Sequence, residues 1–284
     1  KNEKAIPVIG SFVGQVPASF IDAKKVASIM KGESVTWTEM FGKARENPLR
    51  MSELAGSTGS YRVAQRSGAV LAMGGSKSAL QKNGLFCDDK TGKLTVLGRL
   101  VGDGVGAIGG SILAAPLDTL NVLYLANFTN KMPRTYGLVE TMIKPSVALA
   151  TEVTVTSRNA LTLFGASCVR EAYKVIKDDC LSKSQLFNKL PSELKTVVEL
   201  GIRTALTSVV LAGTNPLELW RTDSITQSQQ SVMGQTGKSG DLIKLPELRG
   251  ALDRAIKKTV ESFSKGKPPP GFMERIFAGA VSLN

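Results

Sequence analysis

Ala114 to Leu123 reads AAPLDTLNVL. Pro116 and Asp118 stand two residues apart inside a long apolar run, where proline removes a helical hydrogen bond and a carboxylate resists burial. A hundred residues later the chain repeats the pairing in TNPLELWRTD, Thr214 to Asp223, with Pro216 and Glu218. A third acid, Asp22, lies 96 residues before Asp118. The hexamers FIDAKK (20–25), PLDTLN (116–121) and PLELWR (216–221) share a register: an aliphatic residue, an acid, then Lys25, Asn121 or Arg221 three positions on.

Outward from these acids, six stretches are apolar, rich in small residues and poor in charge: 6–30, 61–82, 103–130, 146–176, 198–226 and 270–284. Small residues let helices approach closely in a bilayer. The even-numbered stretches align on an arginine: Arg66 opens RSGAVLAMG, Arg158 opens RNALTLFGA and Arg275 opens RIFAGAVSL. GAIGG (106–110) is a G-x-x-x-G matched in register by GSFVG (10–14). Between the apolar stretches lie polar segments, two with short amphipathic helical patterns: YGLVETMIK (136–144) and LPELRGALDRAIKKTVESF (245–263). The Gln/Ser/Gly-rich residues 227–243 read as a flexible loop. Alternation at a fixed period of about a hundred residues indicates an internal repeat.

Composition narrows the function. The chain has 284 residues and a net charge of +12, which favours anionic partners. Aromatic residues are few and not interleaved with basic ones, which argues against nucleic acid. There is no histidine, so histidine-dependent nucleophilic catalysis and histidine metal sites are excluded. Cys87, Cys168 and Cys180 form no C-x-x-C pair. No metal, no cofactor and no enzymatic activity are expected. No clean run of 18 apolar residues is visible, so hydropathy alone reads as soluble.

With the repeat in place, the chain resembles the mitochondrial carrier family. That family has three repeats of two transmembrane helices joined by a matrix loop with a short helix, and a P-x-[DE]-x-x-[KR] motif on each odd helix. The motif is complete at Pro216, Glu218 and Arg221. It is nearly complete at Pro116 and Asp118, where Asn121 replaces the base. It is partial at Asp22 and Lys25, where Phe20 replaces proline. The resemblance implies an all-α membrane protein of six tilted transmembrane helices, with repeats over 6–100, 101–197 and 198–284. The sixth helix reads as incomplete, because 270–284 falls short of the roughly 20 residues a span needs.

The resemblance also implies roles. Asp22, Lys25, Asp118, Asn121, Glu218 and Arg221 would form a matrix-side gate. Arg66, Arg158, Asn159 and Arg275 would contact substrate. Lys82, Glu171 and Lys174 would belong to an outer gate, with Arg170 standing where the family has an aromatic residue. Pro116 and Pro216 would kink their helices so that each following acid turns toward a common axis. Charge at that depth is costly unless paired or wet, so the acids are expected to meet at one face. An arginine offers a planar fork to carboxylate or phosphate, so the three arginines are expected in a cavity, loosely paired.

Two function classes follow. One is an inner-membrane carrier moving a small anionic metabolite by alternating access. The other is a carrier-like structural subunit of a larger complex, respiratory or otherwise, in the inner mitochondrial membrane. Cardiolipin or another anionic lipid is an implied partner. Two further motifs are set aside. Gly104, Gly106 and Gly109 spell G-x-G-x-x-G without an alternating strand–helix series around them. GQTGKS (234–239) lacks the first glycine of a phosphate loop, since Val232 stands there.

Overall fold

The computed structural model describes residues 15–46, 48–130, 145–232 and 245–276. It is all-helical; among the described residues the sole β feature is an isolated bridge between Cys87 and Leu94. The helices are α1 (Gln15–Lys31), α2 (Trp37–Glu46), α3 (Pro48–Lys82), α4 (Val96–Asn130), α5 (Pro145–Ile176), α6 (Gln185–Lys189), α7 (Ser192–Gly213), α8 (Asn215–Val232) and α9 (Leu245–Ser264). Residues 272–276 are helical again. YGLVETMIK, GSFVG, GQTGKS and the sixth stretch beyond 276 lie outside the described residues.

Several boundaries differ from the sequence reading. The polar segment 31–60 contains all of α2 and the start of α3, because polar residues there still follow helical spacing. The expected loop at 227–243 is helical as far as Val232. Its Gln and Ser residues are tolerable helix formers. Pro116 lies inside the long helix α4, Val96–Asn130, as expected of a residue placed to bend a helix rather than end it. The interruption near Pro216 falls at Thr214, between α7 and α8, where the Thr214 N–H bonds Val210 at 2.9 Å. Proline at 216 has no N–H to offer Ala212, the same gap that Pro116 leaves in α4, but here the helix breaks. The helix through Phe20 is continuous.

Glycine spacing sets the packing of α3 on α4. A Cβ at Gly106 would overlap the Met73 backbone, one at Gly110 would lie 2.6 Å from the Ala69 Cα, and one at Gly102 2.7 Å from the Lys77 Cγ. The four-residue spacing is a close-approach stripe along one helix face. Gly104 and Gly109 have open or ordinary contacts at 3.5 Å. The G-x-G-x-x-G therefore lies inside a helix, with no strand before it, and the dinucleotide reading is overturned by the geometry.

Three apolar clusters sit near the acid-bearing ends of the helices. Phe20, Val26, Met40, Leu54 and Leu125 join α1 to α4. Ile29, Leu219, Trp220 and Leu248 join α1, α8 and α9, and Trp220 Nε1 donates to the Leu248 carbonyl at 2.8 Å. Ala115, Val122, Val155 and Ile225 join α4, α5 and α8. Residues 272–276 close the circuit: Lys24 pairs with Glu274, and the Phe263 and Phe272 rings meet edge-on at 5.2 Å.

Elsewhere the distribution is inverted. Val70, Leu71, Leu113 and Val209 are 70 to 75% exposed, while Asp118 and Glu218 are fully buried. Among the described residues two helices, α4 over Val96–Leu125 and α7 over Ser192–Gly213, are long and apolar enough to cross a membrane.

Candidate functional site: an ion-pair floor under a charged cavity

The three repeat-related acids belong to one network. Lys25 Nζ lies 3.0 Å from Glu218 Oε1 and 3.2 Å from Asp22 Oδ1. Arg221 reaches Asp118 at 2.6 Å and Glu218 at 2.8 Å. Thus α1 is tied to α8 and α8 to α4 through the acids and bases that the motif marks. Lys25, Asp118, Glu218 and Arg221 are all buried. Each acid-to-base step of three residues puts both groups on one helical face, so each base can serve its own acid and a neighbour's.

The third link is different. Asn121 does not meet Asp22; its Oδ1 accepts from Thr58 Oγ1 at 2.8 Å and Ser57 Oγ at 3.1 Å. Asp22 is held by Arg62 at 2.8 Å. Replacing the base by an amide removes the charge that would draw Asp22 across, so both residues turn to α3. Arg62, Ser57 and Thr58 were not foreseen. Arg62 lies one helical turn before Arg66, and that spacing is the signal that could have raised it. The Arg66 side chain lies outside the described residues.

Arg158 departs from the expectation of a loosely paired arginine. Its Nε donates to Glu218 Oε2 at 2.6 Å and its Nη1 to Asn159 Oδ1 at 2.6 Å. Asn159 donates onward to Asp118 at 3.1 Å. Tyr61 completes this corner, its hydroxyl donating to Asn159 Oδ1 at 3.3 Å. A buried Glu218 carboxylate has two oxygens to satisfy, and Arg158 takes the one that Lys25 and Arg221 leave.

Arg275 is also committed. It donates to the Leu211 carbonyl at 3.1 Å, to Thr214 Oγ1 at 2.9 Å and to Asn215 Oδ1 at 3.3 Å. The break before Pro216 strands carbonyls at the end of α7, and a cation there also opposes the helix dipole. Arg275 therefore caps α7, a role the sequence reading did not give it.

Above the floor lies a cavity of about 230 Å³, bounded in part by Asp22, Arg62, Asn121, Arg158, Arg221 and Arg275. Lys25, Arg62, Arg158, Arg221 and Arg275 surround three carboxylates, Asp22, Asp118 and Glu218. The surplus is positive, so the cavity favours an anion.

Of the residues expected in the outer network, Glu171 meets Lys174 at 3.1 Å and also Arg99 of α4 at 2.8 Å, while Lys82 is exposed at the end of α3. Arg170, in the aromatic's place, reaches Asp103 at 2.7 Å, and Lys77 reaches the same acid at 2.5 Å. Asp103 is fully buried and bolts α3, α4 and α5 together. It was missed in the sequence, although an acid in the apolar run VGDGVG carries the same warning as Asp118.

In the connection between α3 and α4, Asp88 accepts from the Thr91 and Lys90 backbones at 2.9 and 3.0 Å. Those hydrogen bonds hold its carboxyl below the usual carboxylate range. No family model matches the chain, and neither a curated protein nor a solved structure matches it.

Proposed function

We propose that the chain is a divergent member of the mitochondrial carrier family and moves a small anionic metabolite across the inner mitochondrial membrane by alternating access. The observation that carries this reading is the floor itself. Acids about a hundred residues apart meet bases from neighbouring segments beneath a cavity with surplus positive charge. The inverted exposure of leucine and valine supports a lipid setting for the bundle. On this reading six tilted helices in three repeats span the bilayer, and the basic loops face anionic lipid such as cardiolipin.

The chemistry needed is binding and release, not bond making. With the floor closed, an anion enters from the opposite end and meets Arg158. It competes there with Glu218. Because Glu218 also holds Lys25 and Arg221, an anion that takes Arg158 loosens two of the links that close the floor. A ligand shifts such an equilibrium only by its difference in affinity for the two states. An anion that pairs with Arg158 better when Glu218 has moved away supplies that difference.

A second reading is a structural subunit of a larger inner-membrane complex. Two observations favour it: Arg158 is already neutralised by Glu218, and Asn121 leaves one link of the ring uncharged. Purified protein in cardiolipin-containing liposomes, loaded with phosphate, dicarboxylates or keto acids, separates the two. The carrier reading expects saturable anion uptake that Arg158→Ala reduces at least tenfold while the protein stays helical. Intact wild-type protein that neither binds nor moves any of these anions overturns it and leaves the structural reading.

A further inference from the structure

We infer that the cavity above the floor takes a compact dicarboxylate dianion, one the size of succinate. The inference rests on the carrier reading and narrows its anion by charge and by size. Lys25, Arg62, Arg158, Arg221 and Arg275 all line this cavity. Three carboxylates answer these five cations: Asp22 and Asp118 on the wall, and Glu218, which pairs with Lys25, Arg158 and Arg221. The shortfall is two negative charges.

The shortfall falls at two places. Lys25 of α1 and Arg62 of α3 share the single carboxylate of Asp22. Arg275 is 4% exposed and forms no ion pair among the described residues. Its hydrogen bonds go to the Leu211 carbonyl, Thr214 and Asn215, all of them neutral. What this position lacks is opposite charge, not an acceptor, and buried charge without a counter-charge is costly. A monoanion answers one of the two places. A ligand with a carboxylate at each end answers both.

Size narrows the class further. The cavity is about 230 Å³. A water molecule's share of liquid volume is about 30 Å³, so the space suits roughly eight non-hydrogen atoms. Succinate fits that space, whereas a tricarboxylate or a nucleotide exceeds it. Sulfate carries the same charge but gathers it at one centre. Leu163, Ala166 and Leu211 line the same cavity and offer the methylenes of a dicarboxylate an apolar contact that sulfate cannot use.

The test is calorimetric binding by the full chain in phosphatidylcholine nanodiscs at fixed ionic strength. The probes are succinate, butyrate, suberate, propane-1,2,3-tricarboxylate and sulfate. Succinate should bind at least tenfold tighter than each of the others, because its second charged end adds charge-assisted contacts that butyrate cannot make. Arg62→Gln leaves Asp22 to Lys25 and removes one surplus charge, so succinate should then bind no better than butyrate. Ala166→Leu, at an exposed position on the cavity wall, should weaken succinate at least tenfold. Any other probe bound as tightly as succinate by the wild type overturns the dicarboxylate assignment and leaves an anion carrier standing. So does a preference for succinate over butyrate that survives Arg62→Gln in folded protein. Intact protein that binds none of the probes overturns the carrier reading along with it.

Discussion

Glu218 receives three cations, Lys25, Arg158 and Arg221, within 3.0 Å. Removing one partner of a buried ionic cluster costs about 3 to 5 kcal/mol, because the remaining charges lose their compensation. Glu218→Gln should therefore lower the thermal midpoint in detergent sharply. Added dicarboxylate should recover more of that loss than it adds to the wild type, since Arg158 is then free to bind it. An equal shift in both proteins contradicts competition at Arg158. At this scale much of the floor was legible: a fixed offset from acid to base, repeated at a fixed period, names Asp22, Lys25, Asp118, Glu218 and Arg221. What the spacing could not convey is choice of rotamer. Arg158 turns to Glu218 and Arg275 to the end of α7, because each buried acceptor there had a vacancy that only three-dimensional proximity reveals.

Among the elements, the α3–α4 pair makes the sharpest claim. Gly106 and Gly110 face α3 so closely that a methyl group has no room, whereas Gly104 faces Phe164 at an ordinary 3.5 Å. Gly106→Ala and Gly110→Ala should each cost about 1 to 3 kcal/mol through overpacking. Gly104→Ala should be neutral or slightly stabilising, since alanine suits a helix better than glycine. Thermal unfolding of the three variants checks the order. The connection between α3 and α4 adds a pH dependence. The Asp88 carboxyl is held below its ordinary value, so the turn's added stability is present above pH of about 4 and is lost as pH falls further. The protection factors of the Lys90 and Thr91 amides, the intrinsic exchange rate at each pH divided by the observed rate, should fall on acidification below about pH 4 and stay level on alkalinisation. The small-residue stripe was legible as G-x-x-x-G, while the start of α3 was not. Its first two turns, PLRMSEL, intersperse Arg50, Ser52 and Glu53 among apolar residues behind a proline, and such a mixture does not announce a helix.

Among the described residues the helices are tied at the acid-bearing end and again at Asp103, farther along α4. The apolar clusters and the ion-pair floor share that end, and Lys24 with Glu274 brings the last described residues against the first helix. The order of long and short helices was legible from the alternation of apolar and polar stretches. The bolt at Asp103 was not, since a single acid among glycines has no period to expose it. Everything rests on segments remote in sequence acting as one closure. Asp118 and Arg221 carry that claim, since they come from α4 and α8 and meet at 2.6 Å. The direct measurement is a double-mutant cycle with Asp118→Asn, Arg221→Gln and both together, read as unfolding free energies in one detergent. Coupled residues deviate from additivity by about 0.5 to 3 kcal/mol. The predicted result is a double variant less damaged than the two single losses combined, by an amount in that range. Losses that add to within about 0.3 kcal/mol would mean that the two residues do not meet, and would contradict the floor.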